Sequence, residues 1–126
     1  MPDTSSGKRV LVVDDERTIA DTLVLIFSNA GYEARAAYCG EDALALVEEW
    51  PPDVAILDVY LPGINGIALA IRLKAEFPEC RLTLFSGHGA TTSLLEIAER
   101  DGHIFDCLAK PVEPRKLLSL LSDTPS

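Results

Sequence analysis

Short apolar runs alternate along this chain with longer stretches in which apolar residues return every three or four positions. Val10-Leu11-Val12-Val13 is a continuous aliphatic run, the mark of a strand covered on both faces. It ends in Asp14-Asp15-Glu16. From Arg17 to Ala30 the residues Ile19, Leu23, Ile26, Phe27 and Ala30 recur at helical spacing, and Gly31 stands where a helix stops. Tyr32 to Ala37 reads as a second strand, more alternating and so nearer a sheet edge. A helix follows from Gly40 through Trp50, with Ala43, Leu44 and Val47 on one side. Pro51-Pro52 ends it, because proline cannot continue the ladder.

Val54 to Leu57 is the third strand and delivers Asp58 to its end. Gly66 to Phe77 is the third helix, with Ile67, Ala70, Ile71 and Leu73 inward and Pro78 as its stop. Arg81 to Phe85 is a fourth strand ending in Ser86-Gly87-His88-Gly89. Thr92 to Arg100 reads as a helix, with Leu94, Ile97 and Ala98 on one face. Ile104 to Ala109 is a fifth strand ending at Lys110-Pro111, and Pro114 suits the first turn of a last helix carrying Leu117, Leu118, Leu120 and Leu121. Strands alternating with helices imply βαβ units, right-handed crossovers and a parallel sheet. Residues 1–7 and 122–126 read as tails around one domain, 8–121.

Ligands of such a sheet sit beyond the carboxyl ends of its strands. The first strand ends in Asp14, Asp15 and Glu16, the third in Asp58, the fourth in Ser86-Gly87 and the fifth in Lys110-Pro111; the second ends in nothing reactive. If these strands are neighbours, three aspartates, a hydroxyl and an ammonium converge. Three carboxylates and one lysine carry a local charge of about −2, which calls for a cation. Oxygen-only ligands suit a hard divalent ion, Mg²⁺ above all. Such a site suits an arriving phosphoryl group, with Asp58 as nucleophile, Lys110 neutralising charge and Ser86 donating a hydrogen bond. Taken singly, each residue has an ordinary reading: Asp14-Asp15 as helix caps, Ser86 as a turn former. Together, each at the end of its own strand, they do not.

Composition narrows the classes. The chain has 126 residues, 48% of them hydrophobic and 25% charged, a globular profile. The net charge of −9 argues against direct nucleic-acid binding. Neither a membrane span nor a signal-peptide apolar region is present, so a cytoplasmic protein is expected. Cys39, Cys80 and Cys107 lack CxxC spacing and read as reduced thiols; His88 and His103 lack ligand spacing.

The motifs resemble the receiver domain of two-component response regulators over about residues 8 to 121. The matching pieces are Val12-Val13-Asp14-Asp15-Glu16, Leu57-Asp58-Val59-Tyr60-Leu61-Pro62-Gly63 with Asn65-Gly66, Phe85-Ser86-Gly87 and Leu108-Ala109-Lys110-Pro111. The resemblance implies a doubly wound (βα)5 flavodoxin-like three-layer sandwich with five parallel strands in the order 2-1-3-4-5. It implies that Asp58 accepts phosphate from a sensor histidine kinase or a histidine phosphotransfer protein and then alters binding of a downstream protein partner. It implies Mg²⁺ on Asp15, Asp58 and the Tyr60 backbone carbonyl, with Asp14 acting mostly through water and Glu16 as a helix-start acid. Ser86 would bond the phosphoryl group and move with it, and Lys110 would pair with it. Tyr60, Gly87 and His88 would line the water path, Gly87 leaving access. The chain would be no enzyme beyond its own phosphorylation and dephosphorylation. It would be a single-domain form or a piece of a longer regulator.

Two departures stand out. The family usually places Tyr or Phe three residues before the lysine, as a switch aromatic; here that residue is Cys107. Phe105 lies two residues earlier, on the same strand face roughly 6–7 Å back along the chain, and is the candidate substitute. The stretch from Gly102 to Asp106 is one residue longer than usual. Both fall on the surface where the family docks and dimerises, and count against a homodimer of the family's kind. Three other readings fit the residues less well. A haloacid dehalogenase-type phosphatase would need a second Asp where Tyr60 stands. A flavin or nucleotide binder would need a Gly/Ser/Thr-rich loop where Asp14-Asp15-Glu16 stands. The third is a receiver used only as a docking scaffold.

Overall fold

The computed structural model describes residues 8–86 and 106–109, together with residues 96, 99, 100, 102, 115 and 118. Within them the order is β1 (Arg9–Val13), α1 (Arg17–Asn29), β2 (Glu33–Ala37), α2 (Gly40–Glu49), β3 (Val54–Asp58), α3 (Gly66–Glu76), β4 (Arg81–Ser86) and β5 (Asp106–Ala109). Glu96, Glu99 and Arg100 are helical, as are Arg115 and Leu118, inside the two stretches expected to form the last helices. The terminal tails lie outside the described residues.

The five strands form one sheet in the order β2-β1-β3-β4-β5, parallel throughout. This is the arrangement the resemblance implies. The aliphatic runs are buried because both sheet faces are covered. Leu11, Val13, Ala55, Leu57, Leu82 and Leu84 pack on the side of α2 and α3, against Ala43, Val47, Ile67, Leu69, Ala70 and Leu73. Val10, Val12, Val54, Ile56 and Phe85 pack on the other side, against Ala20, Leu23 and Phe27 of α1 and partly buried Leu118. The period of two along each strand assigns successive residues to opposite layers.

Helix ends follow the chemistry of their residues, and several differ slightly from the periodicity. Ala30, expected inside α1, is its exposed C-cap. Gly31 follows at φ +100°, a conformation that side chains disfavour. Its N–H donates to the Ser28 carbonyl at 3.1 Å and that of Tyr32 to the Phe27 carbonyl at 3.1 Å, while the Phe27 and Tyr32 rings meet edge to face. These paired bonds and the apolar contact form a Schellman stop. Trp50 and Phe77, expected as last helical residues, are the C-caps of α2 and α3. Asn65 caps α3 with its Oδ1 on the Ala68 N–H at 2.8 Å. Leu25 of α1 faces solvent and Ile71 of α3 is half-buried, whereas Ala20 and Leu69 are buried. No helix among the described residues is long and apolar enough to cross a membrane.

Candidate functional site

The sheet register brings the candidate residues to one end. Val13 pairs with both Ala37 and Leu57, Asp58 with Phe85, and Ser86 with Ala109. The residues that end β1, β3 and β4 therefore stand side by side at the carboxyl edge. Asp58 closes β3 as its last residue, and it is only 4% exposed. It is more enclosed than a carboxylate at an open strand tip. Asp14 is fully buried, Ser86 ends β4 and is buried, and Asp15 is exposed.

One ligand oxygen from each of Asp14, Asp15 and Asp58 lies within 4.8 Å of the others. Three carboxylates that close repel one another unless a cation joins them. All three donors are hard oxygens, with no thiolate or imidazole, so the set fits Mg²⁺ and not zinc. The two buried acids are oriented in the same way. Asp14 Oδ1 accepts the Glu16 N–H at 2.9 Å, and Asp58 Oδ1 accepts the Tyr60 N–H at 3.2 Å. Each carboxylate folds back on the backbone two residues ahead, a turn open to aspartate because its side chain is short. Glu16 is the exposed N-cap of α1 and its side chain makes no capping bond.

The β3–α3 connection is fastened on both sides. The Gly66 N–H donates to the Val59 carbonyl at 2.8 Å and the Val59 N–H to the Phe85 carbonyl at 3.0 Å. The Ile64 N–H donates to Glu41 of α2 at 3.3 Å.

One part of the site lay unread in the sequence. The Asp14 N–H donates to the Ala37 carbonyl at the end of β2, at 3.2 Å. The next residue, Tyr38, donates its hydroxyl to Asp21 Oδ1 at 2.5 Å and carries the Arg17 guanidinium 4.1 Å from its ring centroid. The bond to Asp21 raises the Tyr38 pKa from its ordinary value of 10.0. β2 thus ends in nothing reactive, yet it holds the loop that carries two of the aspartates. The signal was Arg17 and Asp21 one turn apart, but only the strand order brings Tyr38 to them.

Lys110, Phe105, Gly87 and His88 lie outside the described residues. Cys107 is a β5 residue paired with Leu84, and its side chain lies outside them too. Cys39 and Cys80 are free thiols. A depression of about 320 Å³ bordered by Pro52, Asp53, Phe77, Pro78 and Cys80 lies at the amino ends of β3 and β4, at the opposite end of these strands from Asp58.

Known proteins share both the sequence pattern and this fold. The response regulator receiver domain pattern matches residues 10–122. A CheY-like response regulator receiver domain protein from Methanospirillum hungatei JF-1 superposes with a TM-score of 0.83 at 27% identity, over 94% of this chain and 93% of that one. The receiver domain of NtrX from Brucella abortus is 34% identical over 90% of this chain and 94% of its own, with a TM-score of 0.77. A response regulator receiver domain protein from Clostridium thermocellum is 26% identical over 91% of both chains, with a TM-score of 0.79. With the sequence match running from the first strand to beyond the last, this chain belongs to the response regulator receiver domain family.

Proposed function

We propose that Asp58 is the phosphoacceptor of a two-component phosphorelay and that the chain turns over no substrate other than its own phosphoryl group. The observation that carries this is the juxtaposition of Asp58 with Asp14 and Asp15, their ligand oxygens within 4.8 Å, at the carboxyl edge of β1 and β3. The donor is a phosphohistidine on a sensor kinase or a phosphotransfer protein. An Asp58 oxygen bonds to phosphorus, the nitrogen–phosphorus bond breaks, and its electron pair stays on the imidazole, which takes up a proton. The Tyr60 N–H fixes the carboxylate's rotation, so the nucleophile needs little reorganisation.

Asp14, Asp15, Asp58 and the Tyr60 backbone carbonyl are the groups that would hold Mg²⁺. When bound, the ion neutralises charge on the phosphoryl oxygens. Ser86, buried at the end of β4, would donate a hydrogen bond to the transferred group. Lys110, assigned from the sequence alone, would pair with its charge. Ser86, Cys107 of β5 and, from the sequence, Phe105 then form the route to the partner surface, where a downstream protein is gained or released. The cell interior is the compartment this chemistry requires.

Phosphoramidate tests the reading, because it carries the same nitrogen–phosphorus bond. With Mg²⁺, the chain should take up phosphate in a form that hydroxylamine removes, as it does an acyl phosphate. Uptake that survives in Asp58→Asn, or resists hydroxylamine, contradicts it. A folded chain that takes up none is a docking scaffold.

A further inference from the structure

The three aspartates are not held alike. Asp14 and Asp58 are buried, and each carboxylate bonds the backbone two residues ahead. Asp15 is exposed, so its place depends on the turn that carries it, between Val13 and Arg17. That turn leads into a helix with no side-chain cap and no acidic residue in its first turn. Arg17, the first residue of α1, is a cation at the positive end of the helix dipole, where cations are disfavoured. The Asp14 carboxylate holds the Glu16 N–H here, and a further contact secures this start.

Tyr38 does so at two successive turns of α1. Its ring lies under the Arg17 guanidinium, 4.1 Å away, and its hydroxyl bonds Asp21 one turn on. The backbone bond from Asp14 to Ala37 fastens the same loop one residue earlier. The contact with Tyr38 also occupies an arginine only two residues from Asp15. Released, that guanidinium would be drawn to the acidic cluster and would compete there with a metal ion.

We infer that Tyr38 is a positioning residue for divalent-cation binding, holding Arg17 away from the cluster and Asp15 toward Asp14 and Asp58. The inference rests on the phosphoacceptor reading for its use, but concerns the cation step alone.

The test is calorimetric titration of the full chain with MgCl₂, using wild type, Tyr38→Phe, Tyr38→Leu, Asp15→Asn and the Asp15→Asn/Tyr38→Leu double variant. Tyr38→Leu should bind Mg²⁺ about three- to fivefold more weakly, the scale of an exposed cation–π contact, with unchanged helix content by circular dichroism. Tyr38→Phe keeps the ring, carries the test should the leucine variant fail to fold, and should weaken binding about twofold. In the Asp15→Asn background the leucine substitution should add less than its full loss, because the part of its effect that runs through Asp15 is already gone. Wild-type affinity in both Tyr38 variants overturns the inference and leaves the phosphoacceptor reading standing. So does a full additive loss in the double variant, the sign of a merely structural role. Absence of Mg²⁺ binding by wild type overturns both.

Discussion

Gly66 and Asp58 approach so closely that a Cβ on residue 66 would overlap the Asp58 carbonyl oxygen and lie 2.7 Å from its carbon. The same Cβ would lie 2.8 Å from the Cα of Val59. The first residue of α3 therefore rests on the backbone of Asp58, and the Gly66 N–H donates to the Val59 carbonyl beside it. The neighbours are backbone atoms and cannot swing aside. Gly66→Ala should lose about 1–3 kcal/mol by overpacking, against a helix-propensity gain of about 1 kcal/mol at most. Urea unfolding measures it; a stabilised variant would show that the two segments separate readily.

The cap of that helix gives a milder prediction. Asn65 Oδ1 takes the Ala68 N–H at 2.8 Å in an exposed bond. Asn65→Ala should cost about 1 kcal/mol, seen as a fall in melting temperature of about 4 °C. Its uptake of phosphate from a small donor should match wild type.

Mg²⁺ should stabilise the fold, because it binds the folded cluster and not the open chain. At one hundred times its dissociation constant the gain is about 2.7 kcal/mol. Thermal melts with and without MgCl₂ measure it, and EDTA should reverse it. Asp15→Asn, relieving repulsion among the three carboxylates, should raise the metal-free melting temperature and remove most of the gain from Mg²⁺. Equal stabilisation of that variant would place the ion elsewhere.

Cys80 gives a pH dependence. Burial pushes its thiol up from 9.0 to about 11. The folded state thus keeps this proton more tightly than the unfolded chain. The stability it contributes is fully present below pH 9 and is lost as pH rises toward about 11. Cys80→Ala should lack that part of the decline in urea unfolding across this window. At pH 8 one fewer thiol should react slowly with a disulfide reagent in the variant than in wild type.

The strands were legible because both faces of the sheet are covered, so Val10-Leu11-Val12-Val13 and Val54-Ala55-Ile56-Leu57 are unbroken apolar runs. Stops were legible where backbone chemistry dictates them, as at Gly31 and Pro51. Facing within helices was less so. Ala20 is small enough to sit against the sheet, while Leu25 projects to solvent at 62% exposure, and composition distinguishes neither. The aspartates could be read because each ends a strand, and strand ends meet by topology. Tyr38 could not, because its partners lie on α1 and meet it only through the pairing of β1 with β2. The route through Phe105 and the Cys107 side chain lies outside the described residues, so the missing switch aromatic stands as the sequence left it.

The central claim is that Asp58 alone accepts the phosphoryl group. The direct measurement is the intact mass of the chain after incubation with Mg²⁺ and acetyl phosphate, beside Asp58→Asn treated identically. One adduct of about 80 Da on wild type and none on the variant is the predicted result. No adduct on folded wild type, or the same adduct on Asp58→Asn, would contradict it.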